Sequence, residues 1–374
     1  MENNIIGIIG GGQLCQMLSE YLFSIGKKVI FIDPSENPPA KNTAAIHIKK
    51  KFDDIDALKY LSKNCDIITY EFENVPIESL ILINKDIEIH PSPYILSISQ
   101  NRLNEKNNFK KYGIKTPNFA SFNKDKDLYR IIEKSKIKFP LIIKTNTLGY
   151  DGKGQYRINS SNDVDKILTS LEKDQDYIIE ELINFKKEFS VIIGKDLSGN
   201  SIFFNPIENI HKNGILDISI YPARISEKIR EQAINLAKRF SNEVKLTGIL
   251  AIEMFIDNKD DILFNEIAPR PHNSGHLTIE SHSISQFGLL GDIISNKKIN
   301  TPVSNKKALM KNLLGDFFLK KNHKDIIREI ENMDNHFIKL YKKDEIKIGR
   351  KMGHITIITD DIENSMVKIN NLID

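Results

Sequence analysis

The first hundred residues alternate between short unbroken apolar runs and longer stretches in which apolar positions recur every three or four residues. Ile5 to Ile9 reads as a buried strand, Gln13 to Ile25 as a helix and Val29 to Ile32 as a second strand, with Gly10-Gly11-Gly12 as the first turn. This is a βαβ pattern, closed by Asp33-Pro34. Ile67 to Tyr70 repeats the strand signature, and a helical stretch ending near Asn84 carries the pattern to about residue 99. Asn101 to Tyr112 is polar and helical in character, and Gly113 and Pro117 mark a boundary after it. A second α/β region follows, with strands at 140–145 and 177–181, a glycine-rich loop between them and a strand pair across 248–267. From about Asn296 the pattern weakens into a lysine-rich segment with a last basic turn at 349–354.

A chain of 374 residues exceeds one ordinary hydrophobic core, so two or three domains are expected. The 53 Lys and Arg nearly balance the 50 Asp and Glu, and a net charge of +3 gives no broad footprint for nucleic acid. Any anion must be held by a local site. Cys15 and Cys65 make neither a disulfide framework nor a spaced metal site, which points to a reducing compartment, the cytoplasm. No basic leader precedes the first apolar run, and no stretch reaches the roughly 20 apolar residues a membrane span needs.

Six constellations carry candidate chemistry. The Gly10-Gly11-Gly12 turn with Asp33 about twenty positions on suggests a dinucleotide site, but the third glycine of that fingerprint falls at Cys15; a structural turn or another phosphate ligand remains open. After the strand at 140–143 comes Lys144, then Gly149-Tyr150-Asp151-Gly152-Lys153-Gly154-Gln155, whose glycines let backbone N–H groups approach phosphate; an exposed hairpin tip is the alternative. If residues 258–261 form a four-residue turn, Asp257 pairs with Ile262 and Glu253 stands opposite Glu266. Their Cβ atoms would be about 5 Å apart, a like-charge pair that asks for a cation such as Mg²⁺, unless a neighbour such as Arg270 answers one of them. Lastly, the run from Asn265 to His276 is dense in polar groups, and Lys343 with Gly349-Arg350-Lys351 forms a basic cluster suited to a phosphate monoester or to a solvated surface. Glu180-Glu181-Leu182-Ile183 is the kind of exposed strand edge whose backbone could pair with a flat heterocycle, with Glu188 close behind, but taken alone it reads first as an acidic strand end.

Taken in order, Gly10 to Leu14, Asp33-Pro34, Tyr70-Glu71-Phe72-Glu73-Asn74-Val75-Pro76, Lys144-Thr145, Gly149 to Gln155, Asn265 to His276, Thr278-Ile279-Glu280, Ser285-Gln286-Phe287 and Gly349 to His354 resemble the 5-(carboxyamino)imidazole ribonucleotide synthases, a family of ATP-grasp ligases. The resemblance runs the whole chain. It implies an α/β and α+β multidomain protein: a Rossmann-like pre-ATP-grasp domain at 1–99, an ATP-grasp domain at 100–296 and a small β-rich C-terminal domain at 297–374. It implies ATP held by Arg102, Lys144, Gly149, Tyr150, Asp151, Gly152, Lys153, Gly154, Gln155, Glu180, Glu181, Leu182, Ile183, Glu188, His211, Asn265 and Glu266. Mg²⁺, or Mn²⁺, would sit on Glu253 and Glu266. Asp151, Arg270, His272 and Asn273 would serve the chemistry, and Tyr150, Asp151, Arg270, Lys343 and Arg350 the ribonucleotide. The implied reaction is carboxylation of 5-aminoimidazole ribonucleotide with ATP and bicarbonate, in a homodimer. Other ATP-grasp ligases, a formate-using glycinamide ribonucleotide transformylase or a biotin carboxylase, are the alternatives within the class, and an NAD-dependent oxidoreductase outside it. Cys15-Gln16 stands where the family has Gly-Arg, and Lys347-Ile348 where it has Arg-Pro.

Overall fold

Leu14, Leu18 and Leu22 recur on one stripe of the helix Gln13–Ser24 and are buried, and Cys15, Gln16, Met17 and Ser19 are buried too, so the first half of this helix is enclosed on all sides. A computed structural model describes residues 3–43, 45–125, 127–149 and 154–374. The strands flanking that helix, Ile5–Ile9 and Lys28–Ile32, are parallel, and Ile46–Ile48 and Ile67–Tyr70 complete a four-stranded parallel sheet. The helix packs with Phe287, Leu289, Leu290 and Ile293 of the helix Gln286–Ile294, so the first domain is docked through a shared apolar core.

A second, antiparallel sheet of four strands runs in the order Phe119–Phe122, Tyr177–Glu181, Leu141–Thr145, Gln155–Ile158. Its last two strands form a hairpin, with Lys144 opposite Gln155, and the glycine-rich loop is the connection between them. Tyr177–Glu181 is therefore flanked on both sides. Glu180 and Glu181 do not form the exposed edge expected from sequence, and beyond them the Leu182 N–H already donates to the Pro140 carbonyl (3.3 Å).

The third sheet is antiparallel and large. Its path runs Ile262–Ala268, Gly248–Asp257, Phe185–Lys195, Ile207–Lys212, Ile215–Tyr221, Ala308–Leu314, Lys351–Ile358 and His336–Leu340, with Ser201–Phe203 pairing beside Phe185–Lys195. The lysine-rich C-terminal segment thus supplies three strands that continue the central sheet, joined through Ile218 opposite Lys311. The basic turn expected at 349–354 ends earlier, because Lys351 to His354 already belong to a strand.

Side chains alternate across this sheet with period two, and the alternation places the polar groups. Phe189, Val191, Ile193, Leu250, Ile252 and Met254 share one face, covered by Ala233, Ala237 and Phe240 of the helix Glu227–Glu243. That helix is capped by Ser226, whose hydroxyl accepts from the Ile229 N–H. The intervening positions Glu188, Ser190 and Glu253 therefore point to the opposite face, and all three are buried.

Candidate active site

Glu253 stands opposite Glu266, as counted from the sequence, but by a different route. The connection is one residue longer than expected: Ile256, not Asp257, begins the loop's flanking pair with Ile262, and the Asp257 N–H bonds across the loop to the Asp261 carbonyl (3.0 Å). A bulge after Glu253 takes up the extra residue at Asn265 and restores the pairing. Beyond the bulge Ile267 returns to the helix-covered face, which leaves Glu266 beside Glu253 on the polar one.

Neither carboxylate is answered by Arg270. Glu253 faces His272, with Oε1 and Nε2 3.0 Å apart, and Glu266 accepts from Arg102 Nη1 at 2.9 Å. Arg270 lies against Glu73 instead, at 3.0 Å. On the neighbouring strands His211 Nδ1 is 2.7 Å from Glu188 Oε2, and Glu188, His211 and Glu253 bring one ligand atom each within 4.8 Å of one another. Burial pushes Glu253 upward, yet the His272 bond and the His272 and His211 charges hold it at about 2. Burial pushes His211 downward, yet its bond to Glu188 raises it to about 9. Glu188 is raised, first by burial and then by the Glu253 and Glu266 charges, despite His211. Carboxylate oxygens gathered on one face are the hard donors that suit Mg²⁺; the donor groups that converge are Glu188, His211 and Glu253, with Glu266 opposite Glu253.

Across from this face, the helix Arg102–Lys111 contributes charges that the sequence reading did not single out. Lys106 is only 1% exposed; its Nζ donates to the Asn265 carbonyl (2.7 Å) and lies 3.8 Å from Glu180. Glu105, also buried, accepts from the Ile267 N–H (2.7 Å). Lys144 Nζ is 2.7 Å from the same Glu180 oxygen. Arg102 reaches toward the glycine-rich loop, with Nη2 3.4 Å from the Gly149 carbonyl. Gly154 takes φ of +69° beside Thr145, whose hydroxyl a Cβ would meet at 2.6 Å, so the loop's return requires glycine. Tyr150, Asp151, Gly152 and Lys153 lie outside the described residues.

The stiff run after Ala268 wraps this centre. His272 Nδ1 meets the Ser274 hydroxyl (2.8 Å), which meets Ser190 (2.6 Å). Both polar ends of the Asn273 side chain are buried without a partner among the described residues. Within the basic turn, Lys343 Nζ donates to the Lys351 carbonyl (2.7 Å) and Arg350 Nη1 to the Glu345 carbonyl (2.8 Å). The Lys351 charge itself contributes to holding Glu253 down, so the turn reaches the same electrostatic neighbourhood.

Of the alternatives left open for the first glycine turn, the structure shows the structural one, with a carboxylate of this chain as its occupant. Glu71 accepts from the Gly12 N–H (2.5 Å) and from the N–H groups of Leu14 and Cys15 (both 3.1 Å). A Cβ on Gly10 or Gly12 would meet Glu71 atoms at 2.6 and 2.5 Å, which is why glycine stands there. With its helix-terminal donors already paired to a carboxylate, the turn offers no dinucleotide phosphate site.

The model of the Ribonucleotide synthetase preATP-grasp domain matches residues 3–100, that of the ATP-grasp domain 107–287, and that of the Phosphoribosylaminoimidazole carboxylase C-terminal domain 308–367. N5-carboxyaminoimidazole ribonucleotide synthase from Staphylococcus aureus (strain MRSA252) is 37% identical over 362 residues, covering 96% of this chain and 94% of that protein. The crystal structure of an ADP complex of N5-carboxyaminoimidazole ribonucleotide synthetase superposes with a TM-score of 0.93 at 37% identity, covering 100% of this chain and 97% of the other. An Aspergillus clavatus synthase in complex with ADP and 5-aminoimidazole ribonucleotide gives 0.91 at 30% identity, covering 100% and 98%. With the three-part organisation, the paired carboxylates and the collinear match all in agreement, the chain belongs to the N5-carboxyaminoimidazole ribonucleotide synthase family of ATP-grasp ligases.

Proposed function

We propose that this protein carboxylates 5-aminoimidazole ribonucleotide with ATP and bicarbonate, releasing ADP and phosphate, in purine biosynthesis. The observation that carries the reading is the set of Glu253 and Glu266 on one sheet face, with His272 at one carboxylate and Arg102 at the other. A bicarbonate oxygen attacks the γ-phosphorus of ATP and ADP leaves, giving carboxyphosphate. The exocyclic amine then bonds to the carboxyl carbon, directly or after release of CO₂, while the C–O bond to phosphate breaks; the departing phosphate takes the amine proton.

Such phosphoryl transfer depends on positioning and charge neutralisation more than on covalent chemistry. Lys144 and Arg102 supply fixed positive charge, and the loop at Gly149 to Gln155 supplies amide donors and excludes water. Glu188 and His211 hold the ribose side, and Glu180 to Ile183 border the base. Mg²⁺ on Glu253 and Glu266 would neutralise charge on the phosphates. Arg270, His272 and Asn273, with Asp151, orient the carboxyl group, and Tyr150, Lys343 and Arg350 hold the ribonucleotide.

Measuring ADP release with bicarbonate or the ribonucleotide omitted in turn tests the reading: both omissions should abolish coupled turnover. Release that persists with formate in place of bicarbonate would favour the transformylase. Among the described residues no helix is long and apolar enough to cross a membrane. A cytoplasmic location belongs to this proposal, supported by the two free cysteines. A homodimer belongs to the same proposal, tested by sedimentation.

A further inference from the structure

The segment Thr278 to Phe287 belongs to the family pattern, yet none of its side chains has a place in the reaction as described. Gln286 opens the helix Gln286–Ile294 and is fully buried, and its side-chain amide is spent entirely on the His272 loop. Oε1 accepts from the His272 N–H (2.8 Å), and Nε2 donates to the His272 carbonyl (2.7 Å). The remaining amide hydrogen faces His276 Nδ1 at 3.1 Å, which makes that ring nitrogen an acceptor. A fully buried His276 whose pKa lies well below the ordinary value is neutral and can accept.

The clamp is itself clamped. The Thr278 hydroxyl accepts from the Gln286 N–H (2.9 Å) and donates to the Gly275 carbonyl (2.6 Å). Gly275 has no Cβ because one would meet Gln286 Oε1 at 2.5 Å and Ile192 at 2.4 Å. A side-chain amide that satisfies both backbone groups of a single residue fixes that residue's backbone as a sheet partner would. The residue so fixed is His272, whose ring spans from Ser274 to the Glu253 carboxylate.

We propose that Gln286 is a positioning residue for carboxyl transfer: by gripping both backbone groups of His272 it holds Arg270, His272 and Asn273 in register with Glu253. This rests on the function proposed above. Of the groups assigned to phosphoryl transfer, Lys144, Arg102 and Glu266 do not touch the clamp, and Glu253 meets it only through the His272 ring. Loosening the clamp should therefore slow capture of the activated carboxyl group by the amine more than it slows ADP formation, and the unstable carboxyphosphate would be lost to water.

The test is Gln286→Glu in the full-length protein, measuring ADP released and ribonucleotide carboxylated in the same reaction. The substitution keeps size and the acceptor for His272 N–H, but sets a second oxygen against the His272 carbonyl. Carboxylation is expected to fall about tenfold or more, since misplacing a positioning group by about 1 Å can cost on the order of a hundredfold, with a several-fold rise in ADP per carboxylated product. A folded variant in which the two rates fall together, or not at all, overturns the proposal, because a purely structural role would leave the ratio unchanged. Should the variant not fold, the near-isosteric Thr278→Val reads the same ratio: a rise supports the clamp and an unchanged ratio overturns it. If the wild-type protein carboxylates no ribonucleotide, the functional reading fails and the clamp's role falls with it, an outcome distinct from wild-type coupling with an unaffected variant.

Discussion

Glu180 is the acceptor at the centre of a cluster of buried charges, and Glu180→Gln tests whether it is what keeps two buried lysines in place. The residue is 2% exposed, 2.7 Å from Lys144 and 3.8 Å from Lys106. Burial pushes its carboxyl upward, but the Lys106 and Lys144 charges prevail and bring it from 4.5 to about 2. Glutamine mimics the protonated form, so that difference corresponds to roughly 3 kcal/mol of lost stability at neutral pH. Breaking one side of a buried pair commonly costs about 3–5 kcal/mol, in agreement. Lys106, wholly buried, is itself held down by burial, so part of its attraction to Glu180 is consumed in keeping it charged and the lower figure is the better guide. In a cooperative unit of about 150–250 residues the loss lowers Tm by roughly 6–12 °C. Because a depressed carboxyl contributes its stability above its unfolded pKa and loses it as pH falls toward the folded one, the difference between variant and wild type should be flat from neutral pH down to about pH 5 and shrink below it. Calorimetry of the nucleotide-free protein at several pH values measures this. A loss under ~1 kcal/mol at neutral pH, against the ~3 expected, would refute the argument that Glu180 neutralises these lysines. Adding Lys144→Met should recover part of the stability, since an apolar group needs no counter-charge, while the loss of the Lys144 charge should abolish ATP turnover.

Glu266→Gln should abolish ADP release without unfolding the protein, since it removes half of the carboxylate charge offered to Mg²⁺; near-normal Mg²⁺-dependent turnover would reject the metal assignment. Arg350→Ala should chiefly raise KM for the ribonucleotide, and an unchanged KM in steady-state assays would remove Arg350 from the phosphate site. His211, raised to about 9 by Glu188, contributes stability that is complete below its ordinary value of 6.5 and is lost as pH rises through about 9. Thermal melts of the nucleotide-free protein should show that alkaline loss, and His211→Gln should remove it.

How far this site could be read from sequence depended on how local its contacts are. The glycine turn at 10–12 was legible as a place where something approaches the backbone closely, because glycine marks such approaches whatever the visitor. The visitor was not legible: Glu71 lies 59 residues from Gly12, and its carboxylate satisfies the amides that a phosphate would have taken. Lys106 and Glu105 carried still less signal. In a polar helix their types say surface, and only contacts 159 and 162 residues away, to Asn265 and Ile267, bury them. The glutamate pair was visible because a hairpin makes distant positions countable, yet the count succeeded only because a longer loop and a bulge cancel.

That cancellation argues for what the bulge does. A hairpin one residue shorter, without Asn265, would set the same two glutamates opposite each other, so pairing them is not what an extra residue adds. What it adds is a carbonyl released from the ladder, and the Asn265 carbonyl is the one that accepts Lys106 at 2.7 Å. Lys106 stands 3.8 Å from Glu180, which in turn holds Lys144 at 2.7 Å. The irregularity in one sheet therefore anchors the cation that shares Glu180 with Lys144 in another. The two sheets are joined at that point by chemistry, and Glu253, Glu266 and Lys144, which the proposed function brings to one nucleotide, are set relative to each other by the fold itself.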